Sequence, residues 1–440
     1  VLVVAGPGTG KTQVLTMRIA NILRLTDTKP SSILALTFTE SAAQNMRLRL
    51  ASLIGPDAYY VQISTFHSFC AQVISNHLEY FPLNPESQPI TELERFELVR
   101  SIVEELPLES VKPLNSPLFH VRSLLTNIST FKREGVTTDA FQELVRSQWV
   151  DPTTITSKTT ALKTAKRQQQ LSEQGTVYEA YEQRLRSAGR YDFDDMLALT
   201  VAVLSREEVL LQEYQEQYLY LLVDEYQDTN TVQNNVTRLL ASFWGEQANI
   251  FAVGDPHQSI YRFQGASLEN ITQFMQWYPR TALITLSEGY RCPQELYELA
   301  HTLIKQDTSL TSLELLGDSG SALQSALSQV LKTDKTSESA VTVVKSPDQM
   351  TGQVALMEKI SALLADGVAP NEIAILYTKN QYGKELMPLL SSWGIPFHVE
   401  GGLDALAQPI VQQFVTMCLV IVALRQGGDG SAQVFEICNY

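Results

Sequence analysis

The chain has 440 residues, enough for two to four domains at roughly 100–200 residues each. It is 44% hydrophobic and 18% charged, which excludes a wholly disordered chain and disfavours a coiled coil or a charged tail. With 33 Lys and Arg against 48 Asp and Glu, the net charge of -15 argues against a globally basic nucleic-acid coat. A local basic groove stays compatible with it.

Alternating strand and helix patterns open the chain. Residues 1–5 predict a buried strand, 12–25 a helix, 33–38 a second strand and 41–53 a second helix. Strand signals return at residues 218–223, 249–253 and 281–286. This order predicts an α/β fold with a parallel sheet covered on both faces.

Other stretches break that alternation. Residues 81–190 are mostly helical in pattern without a buried strand, which predicts a helical insertion, and the Ser-rich residues 317–339 indicate a surface loop. Residues 341–344 and 372–377 predict strands around a helix at 352–365, a second α/β unit. The apolar run 414–424 is too short for the ~20 residues of a membrane span, so we expect a buried helix there and no membrane partner.

The cysteines suggest a cellular location for the protein, and the first residues suggest that the chain is part of a longer one. Cys70, Cys292, Cys418 and Cys438 show no zinc spacing and are typical of reduced thiols in a cytoplasmic protein. The chain opens without Met inside an apolar strand, so we expect a fragment of a longer protein.

A phosphate-loop pattern follows the first predicted strand, namely Gly6-Pro7-Gly8-Thr9-Gly10-Lys11-Thr12. Glycines let backbone N–H groups face a phosphate, and the next helix adds its positive N-terminal end. Lys11 can reach the β and γ phosphates, and Thr12 can offer a hydroxyl to Mg²⁺. The alternative, a plain glycine turn, is disfavoured because a strand precedes the loop and a helix follows it.

Two acids end the apolar strand at residues 221–223. Asp224 can hold Mg²⁺ through water, and Glu225 can polarise an attacking water, the two tasks that phosphoryl transfer requires. Alone, such a pair is more often a solvated turn. With the phosphate loop upstream, it predicts an enzyme of phosphoryl transfer that uses Mg²⁺.

The segment Asp224-Glu225-Tyr226-Gln227-Asp228-Thr229-Asn230 resembles the second motif of the UvrD/Rep/PcrA group of superfamily 1 DNA helicases. Further blocks are similar to other motifs of that family in the same order, at residues 36–43, 64–69, 191–196, 253–263 and 289–291. Residues 372–377 with Gly401 and Gly402 resemble the start of the family's second core and its exit into an insertion. The resemblance covers essentially the whole chain.

The resemblance implies two RecA-like P-loop NTPase cores, each with a parallel sheet, and mainly helical insertions. The expected parts are the first core (1–82 and 191–283), a helical insertion (83–190), part of the second core (284–402) and the start of a second insertion (403–440). It also implies an ATP-dependent DNA helicase or translocase that moves 3′ to 5′ on single-stranded DNA and at junctions with duplex, in repair or replication.

The resemblance further implies roles at the ATP site. Lys11, Glu225, the γ-phosphate sensor Gln258 and an arginine finger, Arg291 from the second core, would be catalytic. Thr12 and Asp224 would hold Mg²⁺, and Tyr290 would stack on adenine. The remaining nucleotide contacts are expected from Gly6, Pro7, Gly8, Thr9, Gly10 and Gln13.

The implied DNA site combines ring faces for bases with polar groups for phosphates. Its aromatic platform would be Phe38, Phe66, His67, Tyr261 and Phe263, and its phosphate contacts Thr37, Thr39, Thr65 and Arg262. Each aromatic taken singly is more often a core residue. The insertion's basic residues would face duplex DNA or form only a solvated face: Lys132, Arg133, Lys158, Lys163, Lys166 and Arg167.

Some residues depart from the family pattern. Glu40-Ser41 stands where Asn-Lys is common, so an acid is gained and a cation lost near the expected DNA path. Other positions also differ, namely Gln13, Phe263, Gln264 and Glu288-Gly289. We expect intact ATP chemistry and a weaker or differently tuned DNA grip. Because the family's adenine-reading motif and last motifs are not in this sequence, we expect the fragment alone to be a poor motor.

Several alternatives stay open at this point. A P-loop kinase or GTPase would need no DNA, which the blocks around Thr65 and Gln258 disfavour. An inactive DNA-binding module would be expected to lose Lys11 or Glu225, and both are present. A DNA-dependent ATPase that does not unwind is a further alternative, and the sequence does not identify a protein partner, the oligomeric state or an attached nuclease domain.

Overall fold

A computed structural model of the chain describes residues 1–112, 118–150, 157–259, 268–306, 317–335 and 341–399, together with Val411, Phe414, Met417, Cys418, Ile421 and Arg425. The chain divides into two compact units, Val1–Ala340 and Val341–Tyr440. In the described residues, no helix is both long and apolar enough to cross a membrane.

A six-stranded parallel sheet forms the centre of the first unit. The described strands of this unit, including two outside that sheet, are β1 (Leu2–Ala5), β2 (Ile33–Thr37), β3 (Gln62–Thr65), β4 (Gln88–Pro89), β5 (Arg190–Tyr191), β6 (Tyr220–Val223), β7 (Ile250–Gly254) and β8 (Leu283–Leu286). The sheet order is β3-β2-β6-β7-β1-β8, while β4 and β5 pair separately. The predicted α/β fold with a parallel sheet is therefore confirmed. Strand β3 was not predicted as a strand.

Helices cover both faces of the sheet. Alternate residues of β2 serve the two layers, because Leu34 and Leu36 pack in one hydrophobic cluster and Ile33 and Ala35 in the other. The helices of the first unit are α1 (Lys11–Leu25), α2 (Glu40–Ile54), α3 (Phe66–Asn76), α4 (Glu92–Glu105), α5 (Val121–Arg133), α6 (Thr138–Ser147), α7 (Lys158–Ser187), α8 (Phe193–Arg206), α9 (Glu208–Gln217), α10 (Thr231–Ala241), α11 (Leu268–Trp277), α12 (Gln294–Ile304) and α13 (Gly317–Leu327).

Helix α13 corrects the prediction of a surface loop at residues 317–339. Leu323 and Leu327 are buried, and Leu323, Ala326 and Leu327 follow helical spacing. The loop prediction was wrong for 317–327 because the serines and glycines concealed this apolar stripe.

The helices between β3 and α8 include a group with its own hydrophobic core. Residues from α4, α5 and α7 share this cluster, including Val99, Val121 and Tyr181. Acids at the start of α8 and on α7 form an acidic nest, made of Asp192, Asp194, Asp195 and Glu182. Two cations from α5, Lys132 and Arg133, contact this nest. The Nζ of Lys132 lies 2.8 Å from Asp192, 2.6 Å from Asp195 and 2.6 Å from Glu182.

This nest changes the interpretation of the predicted basic surface. Lys132 is buried and neutralised, so the prediction that it belongs to an exposed basic face is wrong. Arg133 donates from Nε to Asp194 at 2.9 Å. Lys163, Lys166 and Arg167 are exposed, while the side chain of Lys158 lies outside the described part.

Residues 341–399 of the second unit contain two α-helices, α14 (Gln349–Ala365) and α15 (Asn380–Ser392), which pack through Met357, Ile360, Leu386 and Leu390. The predicted strands 341–344 and 372–377 do not form ladders. In the described part of the second unit, neither segment has a neighbouring strand to pair with. Val343 is 77% and Leu376 93% exposed, whereas Ile373 and Ile375 are partly buried against α14 and α15. The described part therefore shows one large sheet rather than two.

Most of the predicted second insertion, 403–440, lies outside the described residues. The apolar run at 414–424 is helical where it is described. Phe414, Met417 and Ile421 are exposed, so the predicted burial of this helix is wrong for these three residues.

Candidate active site

The loop between β1 and α1 has the backbone of a phosphate cradle. Gly8 and Gly10 have φ angles of 75° and 89°, a left-handed region in which a side chain is unfavourable. The Thr9 hydroxyl donates to the carbonyl of Gly6 at 2.8 Å and holds the loop closed. Lys11 then begins a 15-residue helix, so the loop offers backbone N–H groups and a positive helix end to an anion.

The acids after β6 lie against this loop. The Nζ of Lys11 is 2.8 Å from Oε2 of Glu225, and the hydroxyl of Thr12 donates to Oδ2 of Asp224 at 3.3 Å. Burial and the nearby charge of Glu225 raise the pKa of Asp224 to about 6. Thr12 and Asp224 offer the hard oxygen ligands that Mg²⁺ prefers, so the residues fit this ion.

Glu225 has an unusual backbone conformation. Its φ of 48° is the only positive φ of a non-glycine residue in the described part of the chain. Such a conformation costs about 1–3 kcal/mol and persists only where surrounding contacts hold it. One such contact is the hydrogen bond from the Glu225 N–H to Oδ1 of Asp224 at 3.0 Å. The turn directs the acid toward Lys11.

Gln227 connects the ends of two strands, a role that the sequence analysis missed. Its buried amide donates from Nε2 to Glu225 at 2.9 Å and to Asp228 at 3.0 Å, while Oε1 accepts the N–H of Asp255 at 2.8 Å. A Cβ on Gly254 would lie 2.7 Å from this Oε1. The available signal was an amide between acids, because an amide side chain can both donate and accept hydrogen bonds.

Gln258 is oriented by the same network. Its Nε2 donates to Oδ2 of Asp255 at 2.7 Å, and burial raises the pKa of Asp255. Strand β7 lies between β6 and β1, so Asp255 follows a strand adjacent to the phosphate loop. A chain of contacts thus joins Lys11, Glu225, Gln227, Asp255 and Gln258.

The loop after β8 approaches the phosphate loop within the first unit. The N–H of Tyr290 donates to the carbonyl of Gly8 at 2.9 Å, and a Cβ on Gly8 would lie 2.5 Å from the Cβ of Arg291. Tyr297 supports this approach, because its hydroxyl donates to the carbonyl of Pro7 at 3.1 Å.

The ring of Tyr290 is 63% exposed, with its hydroxyl donating to Glu288 at 2.8 Å. Gln13, at the start of α1, is also exposed. Both side chains are therefore open to a nucleotide bound at the loop.

The predicted DNA residues fall into different environments. Phe38 is 38% exposed, while Thr39 caps α2 by accepting the N–H of Ala42 at 3.1 Å. Thr37 and Phe66 are buried, and Phe66 packs in the core, where no base can stack on its ring. Tyr261, Arg262 and Phe263 lie outside the described residues.

His67 belongs to an aromatic pair that the sequence analysis missed. Its ring stacks on Phe193 with a centroid distance of 3.8 Å, and Phe193 is 53% exposed. Burial lowers the pKa of His67 to about 4, so the imidazole is neutral at pH 7. The signal for Phe193 was its place in the block at residues 191–196.

Thr65, between β3 and α3, is held by neighbouring side chains. Its hydroxyl accepts the N–H of Ser68 at 3.1 Å and donates to Oε1 of Glu40 at 2.8 Å. The predicted phosphate contact is thus already bonded to an acid.

The amino-acid sequence is similar to the sequences of known proteins. The chain is 31% identical over 430 residues to the ATP-dependent DNA helicase UvrD1 of Mycobacterium tuberculosis, covering 96% of this chain and 50% of that protein. It is 28% identical over 402 residues to the ATP-dependent DNA helicase PcrA of Bacillus subtilis, covering 91% and 48%. The chain spans about half the length of these curated relatives. The family model of the UvrD/REP helicase N-terminal domain matches residues 1–279, and the chain therefore belongs to the UvrD/REP helicase family.

Proposed function

We propose that the protein is an ATP-dependent DNA helicase or translocase that moves 3′ to 5′ on single-stranded DNA and at junctions with duplex. The observation that carries this proposal is the cluster of Lys11, Thr12, Asp224 and Glu225 beside the Gln258 loop. The similar proteins named ATP-dependent DNA helicases support it.

In this proposal the chain's own groups divide the work of ATP hydrolysis. The phosphate loop binds the β and γ phosphates, and Thr12 and Asp224 hold Mg²⁺, which supplies charge neutralisation. Glu225 orients the attacking water once Lys11 has turned to the phosphates. Gln258 contacts the γ-phosphate, Arg291 stabilises the charge of the transition state, and Tyr290 stacks on adenine.

The DNA track of this proposal runs along the carboxyl ends of β2 and β3. Phe38 and the pair of His67 with Phe193 offer ring faces to bases, and Thr39 and Thr65 offer hydroxyls to phosphates. The proposal also keeps the predicted DNA contacts Tyr261, Arg262 and Phe263, which lie outside the described residues.

The proposal keeps the two RecA-like cores and their predicted boundaries, with stepping driven by a change in how the cores meet. A role in DNA repair or replication and a cytoplasmic location also belong to it. Cys70, Cys292 and Cys418, the cysteines of the described residues, form no disulfide, which is consistent with that location.

The test is steady-state ATP hydrolysis with and without single-stranded DNA, with Glu225→Gln as the matched control. We expect strong stimulation by DNA in the unmodified protein and loss of hydrolysis in the variant. Hydrolysis indifferent to DNA would remove the DNA track from the proposal while keeping the ATP site.

A second candidate is a DNA-dependent ATPase that translocates without unwinding. The observation that favours it is Glu40, whose carboxylate already engages Thr65 and Ser68 at the proposed track. Separation of a duplex with a 3′ single-stranded tail distinguishes the two, because only a helicase releases the displaced strand.

A further inference from the structure

Glu40 makes an unusual pair of hydrogen bonds across two helix starts. It is the first residue of α2 and is exposed. Its Oε1 accepts from the hydroxyl of Thr65 at 2.8 Å and from that of Ser68 at 2.5 Å. These bonds lower the pKa of the Glu40 carboxyl, so the group is charged at neutral pH.

The two hydroxyls are donors of the kind that a phosphate uses. Thr65 is the N-cap of α3 and Ser68 lies in its first turn, at the positive end of the helix dipole. Hydroxyls and helix N-termini are common contacts of DNA phosphates. A carboxylate oxygen is also an anionic acceptor, so Glu40 bonds as a phosphate oxygen would.

A further polar atom without a protein partner lies on the neighbouring strand. Thr37 pairs in register with Thr65 across β2 and β3. Its hydroxyl is buried and has no hydrogen-bond partner in the described part of the chain. Buried polar atoms usually have partners, so this hydroxyl points to a ligand at the site.

We propose that the carboxylate of Glu40 competes with a phosphate of the DNA backbone for the hydroxyls of Thr65 and Ser68. The carboxylate occupies the Thr65 and Ser68 hydroxyls while DNA is absent, and a phosphate has to displace it to bind there. This inference rests on the proposed function, because it requires the DNA track to pass the start of α3. Glu40 is then a residue that sets DNA affinity.

Two effects of Glu40 can be separated by two substitutions. Glu40→Gln removes the charge but keeps an oxygen that can accept from both hydroxyls, whereas Glu40→Ala also frees the hydroxyls. Two unit charges at about 4 Å in water interact by roughly 1 kcal/mol, so we expect the Gln variant to bind DNA about fivefold more tightly. The Ala variant gains more, because the freed hydroxyls donate to a phosphate.

The experiment is a fluorescence anisotropy titration of a labelled oligodeoxythymidine at about 50 mM and 200 mM salt. Glu216→Gln, an exposed acid on α9, is the control for net charge and is expected to leave the affinity unchanged. Thermal unfolding of each variant confirms that it is folded.

Ser68→Ala supplies a second test through a double-mutant cycle. In the unmodified protein this change has a smaller effect, because it removes the bond to Glu40 in the free protein as well as the bond to the phosphate in the complex. Combined with Glu40→Ala, it removes part of the gain, since the freed hydroxyl is missing. An undiminished gain, or equal gains in Glu40→Gln and Glu40→Ala, would overturn the occupancy of the hydroxyls.

The remaining outcomes separate this inference from the proposed function. If the unmodified protein binds DNA and neither Glu40 variant changes the affinity, Glu40 is no competitor and the DNA track stands. If Glu216→Gln gains as much, only net charge matters and the inference fails. If neither the unmodified protein nor Glu40→Ala binds DNA, the proposed function itself fails.

Discussion

The Nζ of Lys11 lies 2.8 Å from Oε2 of Glu225, so the phosphate-loop lysine and the proposed catalytic acid neutralise each other in the nucleotide-free protein. A bound triphosphate offers Lys11 a stronger anionic partner. Nucleotide binding is therefore expected to break this pair and to release Glu225 toward the attacking water.

Glu225→Gln is expected to bind ATP several-fold more tightly while losing hydrolysis. The amide removes a negative charge that faces the phosphates and leaves Lys11 free to bind them. Titration with a fluorescent ATP analogue measures the affinity, with Lys11→Ala as a control that loses binding. Weaker binding by Glu225→Gln would contradict the idea that the ion pair opposes the nucleotide.

Gln227→Leu is expected to lower kcat by about 100-fold with a small change in KM, because Glu225 loses the donor that positions it. Gln227→Glu keeps an acceptor for the N–H of Asp255 but adds a carboxylate beside Glu225 and Asp228. It should therefore shift the acidic limb of the pH–rate profile to higher pH.

The matched control for Gln227 is Gln212→Leu on the exposed face of α9. If Gln227 served only packing, both of its variants would lose stability and the pH–rate profile would not move. An unchanged profile in Gln227→Glu would thus remove its positioning role.

Arg291→Ala is expected to reduce ATP turnover by about 1000-fold, the range of an arginine finger, while ATP binding persists. Arg291→Lys should rescue little, because an ammonium cannot form the two-pronged contact of a guanidinium. Single-turnover hydrolysis, with the protein in excess over ATP and at a concentration that saturates binding, measures the step. Normal hydrolysis by Arg291→Ala would contradict both its assignment and the two-core mechanism.

The stability of the nucleotide-free protein should depend on the charge of Asp224. Its pKa is about 6 in the folded protein, against 3.8 for an unperturbed aspartate, so the folded state holds the proton more tightly. The free energy of unfolding contributed by this group is therefore highest below about pH 4 and falls as the pH rises to about 6.

Asp224→Asn should accordingly stabilise the protein by roughly 1–3 kcal/mol at pH 7 and by almost nothing at pH 4. Thermal unfolding at both pH values measures this, with the exposed Asp57→Asn as the control. A gain of equal size at both pH values would show that the charge of Asp224 is not the cause.

Lys132→Met is expected to destabilise the protein by about 3–5 kcal/mol, because three carboxylates lose their common cation in a buried site. Urea unfolding provides the measurement, and Lys163→Met on the exposed part of α7 is the control. If the Met variant does not fold, Lys132→Arg keeps the charge and should retain most of the stability. A loss under ~1 kcal/mol in Lys132→Met would refute the assignment of this nest as a structural anchor.

The sequence by itself determined the features that depend on neighbouring residues in the chain. The phosphate loop from Gly6 to Thr12 could be predicted because its glycines, strand and helix are contiguous. The strand that ends at Val223, just before Asp224, could be predicted for the same reason, and five of the six strands of the main sheet were found. β3 was missed because three of its four residues, Gln62, Ser64 and Thr65, are polar and conceal the pattern of a buried strand.

Only the tertiary structure decided the contacts between residues far apart in the chain. Gln227 meets Asp255, Lys132 meets Asp192 and Glu40 meets Thr65 because the sheet order and the helix starts bring these positions together. A period of apolar residues shows which face of an element is buried but not which distant side chain completes a hydrogen bond. The burial of Lys132 and Phe66, both expected at the surface, has the same cause: the surrounding layers decide it, not the residue type.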